Sequence, residues 1–179
     1  AGVPTMKNQD QWLPTKFVSK RSLFSKNESL IGNQKHVNPA SRLICDRIGQ
    51  FYSRVIPKYC HGQLLDLGCG HVPLYRTYVD HVDAITCVDW AESLHTNPHL
   101  DHVHDLTQLL PLEDSSFDTV ILSDVLEHIP NPEQLIDEIS RVLRPSGHLM
   151  MNVPFYYPVH ESPYDFYRYT EFTLRRLSE

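Results

Sequence analysis

No stretch of the 179-residue chain approaches the length of apolar sequence that spans a bilayer, and none has the charged, apolar, small-residue order of a secretory signal. Positive charge is in short supply. Sixteen Lys and Arg face 22 Asp and Glu, a net charge of −6. That balance removes the broad basic footprint of a generic nucleic-acid or acidic-membrane binder and leaves room only for a local patch. Cysteine is sparse. Cys45, Cys60, Cys69 and Cys87 are too far apart to form a C-x-x-C pair. They are expected as free thiols of a reducing, cytoplasmic compartment. The length suits one domain with a core large enough to be stable.

What the chain has is Leu64-Leu65-Asp66-Leu67-Gly68-Cys69-Gly70. An apolar run from Gln63 to Leu67 ends in two glycines one residue apart, and His71-Val72-Pro73-Leu74-Tyr75 follows. That order predicts a buried strand, a tight turn and a helix start. Glycine at such a turn reaches positive φ and lets a ligand approach the main chain, so the stretch points to a nucleotide-type cradle. The dinucleotide fingerprint G-x-G-x-x-G is incomplete, because Pro73 occupies the place of its third glycine. Asp66, at the carboxyl end of the strand, would repel a pyrophosphate and attract a sulfonium or an ammonium. A nicotinamide-dependent oxidoreductase is therefore the weaker alternative.

Residues 1–37 are polar and mixed, with Trp12, Phe17 and Phe24 isolated and Lys16, Lys20, Arg21 and Lys26 making them locally basic. A loosely packed arm is expected there. Asn38-Pro39 is a cap followed by proline at the first helical position. Leu43, Ile44, Ile48, Phe51, Tyr52 and Val55 then recur at helical spacing, with Pro57 and Gly62 as the stop. Leu74 to Tyr78 reads as a short helix, and Ala84 to Val88 as a second strand ending in Asp89-Trp90. Asp89 stands about 20 residues beyond the turn, where a βαβ unit sets an acid against ribose hydroxyls. Trp90 offers an apolar face to an adenine or to the core. His99, His102 and His104 gather near Asp101 and Asp105, but no second cluster has ligand spacing, so no metal is expected.

Three further strands complete the pattern. His102–His104 is short, Phe117–Leu122 is nearly continuous apolar sequence, and His148–Val153 follows a helix opened by Pro132 and ended by Pro145-Ser146-Gly147. Leu135, Ile136, Ile139, Val142 and Leu143 are that helix's inward residues. Strands alternating with helices predict an α/β fold with an open, mostly parallel sheet and helices on both faces. Asp66, Asp89, Asp105 and Ser123 all fall at strand carboxyl ends, where such sheets bind ligands.

With these residues in place, positions 63–153 resemble the class I S-adenosylmethionine-dependent methyltransferases. Asp66-Leu67-Gly68-Cys69-Gly70 is similar to the family's first motif, although Val72 stands at the last glycine of its usual G-x-G-x-G. The resemblance implies a Rossmann-like sheet and S-adenosylmethionine as cofactor, with S-adenosylhomocysteine as product. It assigns cofactor contacts to Asp66, Gly68, Cys69, Gly70, Asp89, Trp90, Asp105, Leu106, Ser123 and His128. Asp105 and Leu106 would read the adenine, and Leu126-Glu127-His128 would lie near the methionine part. It further implies that residues 1–37 are an arm or lid and 38–179 the methyltransferase domain. The family's sheet continues past the fifth strand with a helix and two more strands. The domain is therefore expected to be truncated, lacking the last strands, or to close an exposed edge as a homo-oligomer.

The stretch from Pro154 to Thr170 is dense in rings and contains His160-Glu161-Ser162-Pro163-Tyr164-Asp165-Phe166-Tyr167-Arg168-Tyr169. It resembles the substrate loop of a methyltransferase subgroup. His160 is the expected base, since its ordinary pKa of about 6.5 suits proton transfer near neutrality. Arg168 is expected to hold a carboxylate or phosphate of the acceptor. The competing reading is an Asp165–Arg168 pair bracing a final helix capped by Thr170, with Phe172, Leu174 and Leu177 inward. The implied reaction is methyl transfer to oxygen, nitrogen or carbon of a small-molecule acceptor, such as a sugar or other metabolite, chiefly by alignment. A non-catalytic adenosyl-binding scaffold is the alternative. No nucleic-acid substrate is expected, as no Asn-Pro-Pro-Tyr motif is present.

Overall fold

The computed structural model describes residues 4–21, 28–91 and 97–179, so Phe24 and Lys26 lie outside the described residues. An antiparallel ribbon of β1 (Phe17–Arg21) and β2 (Glu28–Gly32) precedes helix α1 (Arg42–Tyr59). The main sheet contains β3 (Gln63–Leu67), β4 (Ala84–Asp89), β5 (His102–Val103), β6 (Phe117–Ser123) and β7 (Leu143–Asn152). Its order is β5-β4-β3-β6-β7 and every pairing is parallel. The chain winds outward from β3 in both directions, so the topological switch point lies between β3 and β6. Among the described residues β7 pairs with β6 alone.

Side chains alternate across this sheet. Leu64, Cys87 and Ile121 face a core with Tyr52 and Ile56 of α1 and with Tyr75 and Tyr78 of α2 (Tyr75–Tyr78). Leu65, Leu67, Val88, Val120 and Leu122 face a second core with Leu135, Ile139 and Val142 of α3 (Pro132–Val142). Helices therefore cover both faces, as the unbroken apolar strands predict. Cys45, Cys60, Cys69 and Cys87 are buried free thiols. No helix among the described residues is long and apolar enough to cross a membrane.

The N-terminal segment is not loosely packed. Met6, Phe17 and Leu30 are buried in the first core. This shifts the inward face of α1. Its buried positions are Cys45, Gly49, Tyr52 and Ile56, while Leu43 and Ile44 are exposed, contrary to expectation. Gly49 explains the shift: a Cβ there would lie 2.7 Å from the Leu30 carbonyl oxygen, so this face is the one pressed against β2. Pro57 does not stop the helix. It lies in the last turn, and the Cys60 N–H still closes on the Ile56 carbonyl at 2.9 Å. At the other end of the chain, β7 begins at Leu143, directly after α3, and absorbs Pro145-Ser146-Gly147 as an irregularity with Ser146 at φ 67. Helix α4 (Glu171–Leu177) is capped by Thr170 as expected. Leu174 and Leu177 pack on the second core, but Phe172 is exposed.

Candidate functional site

The turn after β3 stands at the carboxyl edge of the sheet beside the switch point, where open α/β sheets bind ligands. Gly68 and Gly70 have φ 63 and 50. Their surroundings differ. A Cβ on Gly68 would lie 2.4 Å from a Val125 methyl, so that glycine is required by close packing. Among the described residues a Cβ on Gly70 would meet nothing within 4 Å, so that side of the turn leaves room for a ligand. Val72 keeps φ 51 although it is β-branched, and it is fully buried. A left-handed residue of this type stores on the order of 1–2 kcal/mol. The Val72 N–H on Cys69 O (2.8 Å) and the Trp12 Nε1–H on Val72 O (2.9 Å) hold it in place.

Asp89 reaches back from the end of β4 to this turn. Its carboxylate accepts the Gly70 N–H at 2.9 Å and the Trp90 N–H at 2.8 Å. It is half-buried, and burial raises its pKa despite both bonds. Asp66 lies deeper, on the face covered by α1 and α2, and accepts the Tyr78 hydroxyl at 3.1 Å. It is only 4% exposed, and burial pushes its carboxyl up to about 7. Cys69 is buried, and its thiol is raised chiefly by a hydrogen bond with Cys87. Only its backbone is left for a ligand.

The remaining expected contacts are arrayed along the same edge. Trp90 is half-buried and packs edge-on against Tyr164, with centroids 5.1 Å apart. Asp105 is exposed just beyond β5, and its Oδ1 accepts the Thr107 N–H at 2.9 Å. Leu106 turns its side chain into the second core. The Ser123 hydroxyl donates to Asn152 Oδ1 at 2.7 Å, an atom that also accepts the Tyr52 hydroxyl at 2.7 Å. Asn152 in turn donates to Asp124, which pairs with Lys16 of the N-terminal segment.

The ring-rich loop is sewn to the turn that follows β6, a 3-10 turn over Leu126–His128. The Phe166 and Tyr167 N–H groups donate to the Glu127 carbonyl at 2.9 and 3.3 Å, and the Tyr169 hydroxyl donates to the Leu126 carbonyl at 3.0 Å. Arg168 turns its guanidinium to the loop itself. Nε donates to Tyr157 O, Nη1 to Asp165 Oδ1 and Tyr167 O, and Nη2 to Asp165 Oδ2 and Pro158 O. All its donors are spent within the loop, the arrangement of the competing Asp165–Arg168 reading. Its partner Asp165 is held well below the usual carboxylate range, first by those bonds.

His160 is turned the other way. Its backbone N–H donates to Asp165 Oδ2 at 2.8 Å, and its Nε2 lies 3.9 Å from Glu127 Oε1. The His128 and His160 rings meet edge-on, 4.8 Å between centroids. Glu127 is completely buried, and among the described residues neither carboxylate oxygen has a hydrogen-bond partner. Burial raises its pKa. This Glu127–His128–His160 cluster is what sequence reasoning missed. Its members come from two segments some 30 residues apart, and spacing alone gives no signal that the two segments meet.

Comparison with known proteins follows this geometry. Residues 65–151 match the family model described as "Methyltransferase domain". A ubiquinone biosynthesis O-methyltransferase of Xylella fastidiosa is 26% identical over 110 residues, covering 61% of this chain and 45% of that protein. A demethylmenaquinone methyltransferase of Leptospira interrogans is 34% identical over 101 residues, covering 49% and 41%. Among solved structures, the PH0226 protein of Pyrococcus horikoshii OT3 superposes with a TM-score of 0.52 at 25% identity, over 66% of this chain and 60% of that one. The chain spans about half the length of the curated relatives it matches. A parallel sheet wound from β3, an acid and a glycine turn at its switch point, and the match over residues 65–151 make this part of the chain similar to a methyltransferase domain.

Proposed function

We propose that this protein binds S-adenosylmethionine at the carboxyl ends of β3, β4 and β5 and transfers its methyl group to a small-molecule acceptor. The observation that carries the reading is the Asp89 carboxylate hydrogen-bonded to the Gly70 N–H beside an open Gly70 face. That pair offers a ribose diol two acceptor oxygens and a main chain it can approach. When bound, the cofactor supplies a methyl group activated by a sulfonium. Asp89 holds the ribose, Trp90 lies along the base, Asp105 and the Leu106 backbone read the adenine, and the Asp66 carboxyl lies beneath the turn. Ser123 and His128 stand near the methionine part. The N-terminal segment acts as a lid, consistent with the Trp12–Val72 bond and the Lys16–Asp124 ion pair.

The acceptor sits against the loop, where Phe155, Tyr156 and Tyr164 expose ring surface. Their flat apolar faces suit a sugar ring or another compact metabolite. His160, with Glu127 behind it, is the group placed to take a proton from the acceptor while its Nε2 is unligated. Arg168 orients His160 through Asp165.

Calorimetric titration with S-adenosylmethionine, S-adenosylhomocysteine, NAD and NADP tests the reading. The two adenosyl ligands are expected to bind and the two dinucleotides to give no heat. Tight NAD binding, or silence toward all four, would overturn it. The free edge of β7 is expected to support self-association. Light scattering that shows a monomer at high concentration would count against that.

A further inference from the structure

We infer that Glu127, His128 and His160 form a binding site for a zinc-type divalent cation. The three ligand atoms lie within 4.8 Å of one another. Glu127 Oε1 is 3.7 Å from His128 Nε2 and 3.9 Å from His160 Nε2. In a tetrahedral zinc site with bonds of about 2.0–2.1 Å, neighbouring ligand atoms stand about 3.4 Å apart. Small side-chain rotations close that difference.

Counting donors and acceptors strengthens the case. His128 Nδ1 lies 2.6 Å from the Tyr164 carbonyl oxygen, which can only accept, so that nitrogen carries the hydrogen. His160 Nδ1 lies 3.3 Å from both the Pro158 carbonyl and the Asp165 carboxylate, and the same argument holds. In the neutral ring this leaves each Nε2 with a bare lone pair turned toward Glu127 Oε1. Both oxygens of Glu127 are buried without a hydrogen-bond partner, on a side chain only 1% exposed. Three acceptors converge, and among the described groups no donor stands between them. A cation at their centre satisfies all three.

The surroundings have the form of a metal site. Metal-ligating histidines anchor their other nitrogen on a carbonyl or a carboxylate, as His128 does on Tyr164 and His160 on Asp165. Asp165 is itself fixed by two Arg168 bonds of 2.6 and 2.8 Å, which gives the loop's arginine a purpose. Two histidines and one carboxylate bind zinc-type ions rather than magnesium or calcium, and they leave coordination positions open. The open side is the loop surface. There Glu161, an exposed residue, brings a carboxylate oxygen to 4.0 Å from His128 Nε2 as a fourth ligand. The site stands on its own geometry and does not depend on the adenosyl reading.

The test uses the whole chain, stripped with a chelator, then titrated with zinc chloride by calorimetry and with cobalt(II) by visible absorption. One zinc per chain is expected, with cobalt bands of a four- or five-coordinate site. His160→Ala and Glu127→Gln are each expected to weaken zinc by at least about a hundredfold, since even an outer-shell partner of a metal ligand is worth ten- to a hundredfold. His102→Gln, in the histidine-rich stretch around β5, is expected to bind like the parent. The His160 variant lies on a surface loop and keeps the test open if Glu127→Gln fails to fold. Zinc binding that survives His160→Ala, or that His102→Gln abolishes, would overturn the proposal, as would no binding by the parent. In the last case, heteronuclear NMR showing protons on both nitrogens of His128 and His160 would identify protons as the charge in the cluster. Titrating S-adenosylhomocysteine into the same samples separates this outcome from failure of the cofactor reading.

Discussion

Asp66→Asn should flatten the pH dependence of stability. Asp66 is 4% exposed, and burial raises its pKa from 3.8 to about 7. The native state therefore holds a proton that the unfolded chain releases above pH 4. Between pH 4 and 7 the native state binds more protons than the unfolded one, so stability falls as pH rises and levels off above 7. At ~1.4 kcal/mol per pKa unit, the loss across this window is on the order of 4 kcal/mol, a large part of a typical 5–15 kcal/mol total. Asparagine is neutral throughout, and its Oδ1 can still accept the Tyr78 hydroxyl now bonded at 3.1 Å. With the swap itself costing no more than about 1 kcal/mol, the variant should exceed the parent by roughly 1–2 kcal/mol at pH 5 and by about 4 kcal/mol at pH 8. Burial also raises Glu127, with the same sign, so the parent-minus-variant difference, not the parent's slope, isolates Asp66. Urea melts from pH 5 to 8 at fixed salt, with chelator and without adenosyl ligand, measure it. A difference between the two proteins that stays constant across this range would refute the reasoning.

Three other expectations follow from the same geometry. Asp89→Ala removes the acceptor of the Gly70 and Trp90 N–H groups and two bonds to a ribose, so S-adenosylhomocysteine affinity should fall about tenfold to a hundredfold by calorimetry; unchanged affinity would remove the ribose assignment. Gly70→Ala meets no atom of the described residues within 4 Å but sits at φ 50, so it should cost only about 1–2 kcal/mol of stability. The same methyl enters the open face of the turn and should abolish adenosyl binding; a stable variant that binds normally would contradict this. Arg168→Lys keeps one charge but loses the two-pronged grip on Asp165, and should cost about 2 kcal/mol, or roughly 4–8 °C of melting temperature. An unchanged melting curve with a raised acceptor KM would instead support the acceptor-binding role for Arg168.

The sheet was legible because its signals are local. Leu64-Leu65 and Val120-Ile121-Leu122 are buried on both faces, so apolar runs mark strands without any knowledge of their neighbours. The turn was legible for the same reason: only glycine tolerates the close approach of Val125 at position 68. The N-terminal segment failed this test. Met6, Phe17 and Leu30 are single buried residues with no period between them, and their burial depends on α1 lying across β2. The face of α1 then followed the ribbon rather than its own strongest apolar residues. Its contact is made through Gly49, which carries no apolar signal at all.

The loop shows where composition stops being informative. A histidine, two carboxylates and an arginine among rings announce a charged network in low-polarity surroundings, and both expected roles for Arg168 fit that statement. Sequence order cannot say which carboxylate takes the arginine. The choice is geometric: Asp165 is three positions from Arg168, within reach of a side-chain fork, and its own side chain is 2% exposed. Once that pair forms, each remaining group has one role left. Asp165 offers its Oδ2 to the His160 backbone N–H at 2.8 Å and lies 3.3 Å from the ring Nδ1. That leaves His160 Nε2 to face Glu127, a residue fixed in a different segment by the loop's own N–H groups. The arginine thus contributes to the site indirectly: it sets the tautomer and direction of the imidazole, and the imidazole meets the buried carboxylate.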